Sequence, residues 1–302
     1  MEKIFVLMGG CSSERDISLL SGRNIAEGLR SLGKYEVVEI DLKEESLASV
    51  DLSGASKIYI ALHGGWGESG GVQKELDRLG IPYTGPGAKA SQIAMDKIAT
   101  KRILDKNSIP TAPWTTVTAD APVCPLALPV VVKPPCDGSS VGITKVSRPE
   151  EWRGALAAAS SVMSPDSKEI LVEAFVPGRE MTVGVVGGKA LPAIEIVTPH
   201  GWYGYDEKYN SNETRYPFVD EEEAKRLKLS EIATAACDAI GCRGVTRVDF
   251  RVTPEGEVYV LELNTSPGFT SHSLVPKAGM KTGLSFGQVC DLILSKASCD
   301  HE

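Results

Sequence analysis

The stretch Thr246–Leu274, TRVDFRVTPEGEVYVLELNTSPGFTSHSL, decides the fold. Two runs of alternating residues, Thr246–Val252 and Glu257–Leu263, flank Thr253-Pro254-Glu255-Gly256, and its Pro and Gly favour a turn. The pattern predicts an antiparallel hairpin. With Thr253 facing Gly256, Asp249 falls opposite Val260 and Arg247 opposite Glu262. One face is then apolar, with Val248, Phe250, Val252, Tyr259, Leu261 and Leu263, and the other carries Arg247, Asp249, Arg251, Glu262 and Asn264. In this register Asp249 and Glu262 are diagonal neighbours, and Glu262 and Asn264 lie about 7 Å apart along one strand. An oxygen-only set of Asp, Glu and Asn suits Mg²⁺ completed by water and phosphate. The alternative is an exposed charged face cross-paired by Arg247 and Glu262. The turn Asn264–Gly268 re-aims the backbone, so its amides are candidates to face a developing negative charge.

At 302 residues the chain is long for one core, and two or three domains are expected. Its 42% hydrophobic and 24% charged content is that of a soluble globular enzyme. A net charge of -8 without a basic stretch argues against nucleic acid as a partner. The seven cysteines form no C-x-x-C pair and read as reduced thiols. The chain opens directly into a strand, and its longest apolar run, Leu126–Val132, is too short to cross a bilayer. The expectation is a cytoplasmic protein with no membrane partner.

Lys3–Met8 is a continuous apolar run of the kind found in a buried parallel strand, ending at Gly9-Gly10. A helix follows, with Ile17, Leu19, Leu20, Ile25 and Leu29 as its apolar side, and then strands at Tyr35–Leu42 and Lys57–Leu62. Strand, helix, strand is the α/β pattern, in which ligands sit beyond the carboxyl ends of the strands. That places Glu14 and His63 at a candidate site. A turn at Thr84–Gly87 leads into a helix over Ala88–Lys106 that carries Lys97, Lys101 and Arg102. Solvation of the surface accounts for most of these charges. The strand Val130–Lys133 runs into a Gly/Ser loop to Gly142, able to cradle phosphates through its amides although it is not a P-loop. Beyond it come a helix at Glu150–Val162 and strands at Glu169–Val176, Met181–Val186 and Ala190–Val197. The segment 198–216, rich in Tyr and Trp and without a period, reads as a closing loop. Helices are predicted over Glu221–Ile240 and Gly283–Ala297.

Taken in order, Gly9–Arg15, Ala61–Gly64, Met95–Lys97, Lys133-Pro134 with Gly138–Gly142, Glu207-Lys208-Tyr209, Arg247–Asp249 and Glu262–Leu274 resemble the D-alanine–D-alanine ligase family of the ATP-grasp superfamily. The match covers nearly the whole chain. Pro135-Cys136-Asp137 departs from a loop segment that usually contains Arg and Glu. The resemblance implies an α/β fold with α+β elements: an N-terminal doubly wound parallel-sheet domain (1–92) followed by a two-part ATP-grasp fold (93–177 and 178–302). It implies ATP between two antiparallel sheets, with Lys97 and Lys133 on its phosphates and Ser139 and Ser140 in the covering loop. Glu173 and the backbone at Phe175 and Val176 would recognise adenine, and Glu180 the ribose. Asp249, Glu262 and Asn264 would hold two Mg²⁺ (or Mn²⁺) ions.

The activity implied is ligation of two D-alanine molecules through a D-alanyl phosphate, for peptidoglycan precursor synthesis, by a homodimer. Glu14, with His63 nearby, would hold the first D-alanine. Ser139 and Tyr209 would link to Glu14, with Lys208 beside them in the substrate site. Ser273 and Leu274 would bind the second carboxylate, and Arg247 with the Gly268 amide would stabilise the oxyanion. D-Lactate or D-serine as acceptor, or a non-catalytic nucleotide-binding protein, are the alternatives.

Overall fold

Ile4–Met8 has no polar face to offer solvent, so it folds as the middle strand of a sheet covered on both sides. In the computed structural model, which describes residues 1–136, 141–164, 166–199 and 213–300, β1 (Glu2–Gly9) lies between β2 (Tyr35–Leu42) and β3 (Lys57–Ile60), parallel to both. Ile4, Val6 and Met8 pack with Ile25 and Leu29 of α1 (Arg15–Ser31). Phe5 and Leu7 pack on the opposite side with Val72 and Leu76 of α3 (Gly71–Leu79), which follows the short helix α2 (Gly65–Glu68). Helices on both faces make this sheet doubly wound, as the sequence pattern implies. Leu20, expected on the apolar side of α1, is instead 46% exposed, and helix α1 turns Ser18 and Ser21 inward at this level.

Two antiparallel sheets follow. The first has the order β4 (Trp114–Val117), β7 (Ile170–Ala174), β5 (Val130–Lys133), β6 (Thr144–Val146), backed by α6 (Trp152–Ser161). The second has the order β10 (Ile194–Ile196), β8 (Arg179–Val186), β11 (Val245–Val252), β12 (Val258–Asn264), with β9 (Lys189–Ala190) attached to β8. The helix expected over Ala88–Lys106 is two, α4 (Ala88–Met95) and α5 (Lys97–Lys106). Asp96 leaves the helical conformation and accepts from the Ile98 and Ala99 amides, both at 2.9 Å, so it caps α5 and aims Lys97 from its first turn. The helix expected over Glu221–Ile240 also divides, at Lys228, whose φ of 54° is left-handed.

The hairpin forms, but its register differs from the sequence-based expectation in two ways. Its loop closes on Thr253 and Glu257, with Gly256 in the left-handed region at φ 88°, so Val252 faces Val258. A bulge at Leu261 then brings Asp249 directly opposite Glu262 and Arg247 opposite Asn264. The apolar face is therefore Val248, Phe250, Val252, Val258, Val260 and Leu263, all buried in one core, while Tyr259 and Leu261 are half-exposed.

Candidate active site

The end of β12 and the turn after it are fastened to the carboxyl edge of the parallel sheet. Ser266 Oγ donates to the Leu62 carbonyl (2.6 Å), Asn24 Nδ2 to the Phe269 carbonyl (3.0 Å), and the Phe269 amide to Ser21 Oγ (3.0 Å). Phe269 also meets Tyr59 edge-on, with centroids 5.9 Å apart. Residues some two hundred positions apart thus form the walls of one cleft. Of the predicted site residues, Glu14, His63, Lys97, Arg247, Glu262, Asn264, Gly268, Ser273 and Leu274 line it. Ser139, Ser140, Lys208 and Tyr209 lie outside the described residues.

His63 is buried. Its Nδ1 faces the Ser266 carbonyl at 3.0 Å and therefore carries the proton, while Nε2 accepts from Ser21 Oγ at 3.2 Å. Burial lowers its pKa, outweighing the attraction of Glu14, so the ring stays neutral. Ser12 Oγ donates to the His63 carbonyl (2.6 Å) and accepts from the Glu14 amide (3.2 Å), which fixes the start of α1 against the end of β3.

Sequence reasoning missed Glu68, which also lines the cleft. It accepts from the Gly64 amide at 3.0 Å and the Ser266 amide at 3.4 Å, yet burial and the Glu14 carboxylate push its pKa up to about 7. Its region reads as a glycine-rich loop, so no local signal marks it. A carboxyl whose folded pKa is raised stabilises fully below its unfolded value, and that contribution is lost as pH rises through the folded value. Glu68→Gln is therefore expected to gain thermal stability relative to the parent protein between about pH 5 and about pH 8. A melting-temperature difference constant across that range would contradict this.

Asp249 is 3% exposed and accepts four hydrogen bonds: from Arg247 Nε (2.9 Å) and Nη2 (2.7 Å), Thr182 Oγ1 (2.6 Å) and Asn264 Nδ2 (2.9 Å). Glu262, directly across the ladder, faces the cleft. Two carboxylates opposite one another repel, so this pair needs positive charge beside it. Arg247 supplies part of that charge. With the Asn264 amide oxygen, the donors are hard oxygens that fit a Mg²⁺ or Mn²⁺ ion.

Lys133 and Glu173 sit on neighbouring strands of the first antiparallel sheet and are ion-paired. Lys101, expected at the surface, is instead 1% exposed, with its Nζ 2.6 Å from Glu173 Oε2 and 2.5 Å from Thr111 Oγ1. Thr111 donates on to the Val260 carbonyl at 2.9 Å, so the chain of contacts crosses to the second antiparallel sheet. Burial alone would raise the Glu173 carboxyl, but the two ammonium groups hold it at about 2. Burial works against the charge of both lysines: it prevails at Lys101, whereas Glu173, with Glu262 and Glu180 beyond it, raises Lys133. Lys133 therefore stays a cation. Glu180, on β8, is ion-paired with Arg251, and the Phe175–Gly178 linker runs beside it.

Ser273 precedes the helix Leu274–Lys281 and accepts from the Thr270 amide at 2.8 Å, next to Gly268. A helix start opening into a cleft favours an anion. Tyr216, from the end of the expected closing loop, and His272, within the last motif, also line the cleft, although sequence reasoning assigned neither an individual role.

Residues 103–295 match the family model described as D-ala D-ala ligase C-terminus. D-alanine–D-alanine ligase of Bordetella petrii is 42% identical over 98% of this chain and 92% of its own length, and that of Herminiimonas arsenicoxydans 41% over 99% and 92%. The crystal structure of D-alanine–D-alanine ligase from Bacillus anthracis superposes with a TM-score of 0.85 at 32% identity, covering 98% of this chain and 97% of that one. The same enzyme complexed with ATP superposes with a TM-score of 0.84 at 31% identity.

Proposed function

The chain belongs to the D-alanine–D-alanine ligase family, and from that membership we propose that it joins two D-alanine molecules into D-alanyl-D-alanine while ATP becomes ADP and phosphate. The observation that carries this reading is the cleft in which Glu14, Lys97, Arg247, Glu262, Asn264 and a helix start converge, with Asp249 buried directly opposite Glu262 on the facing strand. That is a set for one ammonium, several phosphate oxygens and one carboxylate.

A carboxylate oxygen of the first D-alanine attacks the γ-phosphorus of ATP, the bond to ADP breaks, and a D-alanyl phosphate forms. The amine of the second D-alanine, having lost a proton, then attacks the acyl carbon. The tetrahedral centre collapses, the C–N bond is kept and phosphate leaves. In this reading Glu14 accepts from the first ammonium, and neutral His63 holds the Ser266 carbonyl so that the turn keeps its place. Lys97 and Lys133 bind phosphate oxygens, with Ser139 and Ser140 from the loop. Glu173 and the Phe175–Val176 backbone border the adenine, and Glu180 accepts from the ribose. Asp249, Glu262 and Asn264 would hold Mg²⁺ or Mn²⁺, which supplies neutralisation of the phosphate charge when bound. Arg247 and the Gly268 amide donate to the oxyanion. Ser273 and the Leu274 amide, at the helix start, take the second carboxylate. Lys208 and Tyr209 complete the substrate site with Ser139. Positioning and charge neutralisation carry the rate, and no protein nucleophile is required.

The reading includes three parts, 1–92, 93–177 and 178–302, each holding one sheet. It also includes a cytoplasmic homodimer; among the described residues no helix is long and apolar enough to cross a membrane.

A Cβ added at Gly268 would come 2.9 Å from Ser273 Oγ. Gly268→Ala should therefore turn the Ser273 hydroxyl away and raise KM for the acceptor D-alanine about tenfold or more, with KM for ATP little changed. Equal changes in both constants would count against this placement of the acceptor. The chemistry is tested by isotope transfer: D-alanine labelled with ¹⁸O in its carboxylate should deliver one label to the released phosphate. Unlabelled phosphate would overturn the acyl phosphate route.

A further inference from the structure

Arg251 belongs to none of the roles above, yet it touches Phe175, Val176 and Gly178 of the linker between the two antiparallel sheets. It stands on β11 directly across the ladder from Glu180. Its Nη1 reaches Glu180 Oε2 at 3.4 Å, its Nε donates to the Val176 carbonyl at 3.2 Å and its Nη2 to the Gly178 carbonyl at 2.8 Å. The side chains of Arg251 and Glu180 are 12% and 16% exposed. The Phe175 ring has two cations near it, Arg251 Cζ at 5.9 Å and Lys145 Nζ at 3.7 Å from its centroid. The linker is seated closely on the same strand, because a Cβ at Gly178 would fall 2.1 Å from the Val252 carbonyl oxygen.

Three nitrogens of one planar group, each directed to a different acceptor, form a rigid template that a lysine cannot reproduce. We propose that Arg251 is a positioning residue of the ribose subsite, fixing the Glu180 carboxylate and the 176–178 linker in the one relative placement that lets the carboxylate accept from both ribose hydroxyls. The inference rests on Glu180 serving the ribose. Arg251 itself touches no substrate. With the guanidinium against Oε2, the direction in which the carboxylate faces is set before nucleotide arrives, so selectivity for the hydroxyls follows from geometry already in place.

The test compares kcat/KM for ATP, 2′-deoxy-ATP and 3′-deoxy-ATP in the parent protein, Glu180→Gln, Arg251→Met and Arg251→Lys, each checked by thermal melting. The parent should prefer ATP. Glu180→Gln and Arg251→Met should each lose about tenfold or more of that preference, the latter mainly through KM for ATP, and Arg251→Lys should lose most of it. A purely structural role would lower all three nucleotides together and leave their ratios unchanged. Loss of preference in Glu180→Gln with the parent ratio in Arg251→Met overturns the role of Arg251 and leaves the ribose reading standing. An unchanged ratio in Glu180→Gln overturns the ribose reading itself. If Arg251→Met does not fold, Arg251→Lys decides, and the parent ratio there overturns the inference.

Discussion

Glu262→Gln is expected to leave the protein folded and to lower turnover by roughly 10²-fold or more, the cost of removing one charge-stabilising group from a site of this kind. The structure explains why this substitution, rather than its partner, separates function from folding. Glu262 is half-buried at the cleft wall and faces Asp249 across the ladder, so replacing it by a neutral isostere relieves a like-charge contact. The metal-free protein should melt no lower than the parent, and the stabilisation that added Mg²⁺ gives the parent should shrink. Asp249→Asn behaves differently. Arg247, Thr182 and Asn264 all donate to Asp249, and an amide NH₂ in that buried place would face donors. That variant should lose about 3–5 kcal/mol of stability along with activity. Near-normal turnover by a folded, metal-dependent Glu262→Gln protein would remove the hairpin from the metal site.

Lys101→Met should destabilise the protein by about 3–5 kcal/mol, the range for removing one member of a buried ion pair. Lys101 is 1% exposed and its charge is matched by Glu173, which is 2% exposed. Without Lys101, one oxygen of Glu173 loses its partner in a place water does not reach, and the Thr111 hydroxyl that links to the Val260 carbonyl loses its neighbour. Lys133 would still pair with Glu173, but with that carboxylate released on its far side, so KM for ATP should rise as well. Chemical denaturation with ATP titration checks both effects. A change under about 1 kcal/mol would mean the cluster carries little of the fold.

Much of this was legible in the sequence because it is written in short-range pattern. The run Ile4–Met8 has only one stable placement, and the ordered motifs from Gly9–Arg15 to Glu262–Leu274 name most of the residues that line the cleft, though not Glu68 or Tyr216. What escaped was decided at long range or within a uniform pattern. Lys101 reads as a solvated helix lysine because its partner lies on another strand, at position 173. The bulge at Leu261 leaves no trace in composition, since Val260 and Leu261 are both apolar and either could face the core. Asp96 interrupts what looks like one helix, and only its capping bonds reveal the break. Glu68 sits among glycines, and its partner in the far turn, Ser266, lies 198 positions away.

The central claim, ATP-dependent joining of two D-alanine molecules, is tested most directly by measuring phosphate release from ATP with D-alanine, L-alanine and D-lactate supplied separately, and by identifying the product. D-Alanine alone should support sustained turnover, with one D-alanyl-D-alanine formed for each phosphate released. L-Alanine and D-lactate alone should give none. Sustained phosphate release with D-alanine but without dipeptide, or no dependence on D-alanine at all, would contradict the account.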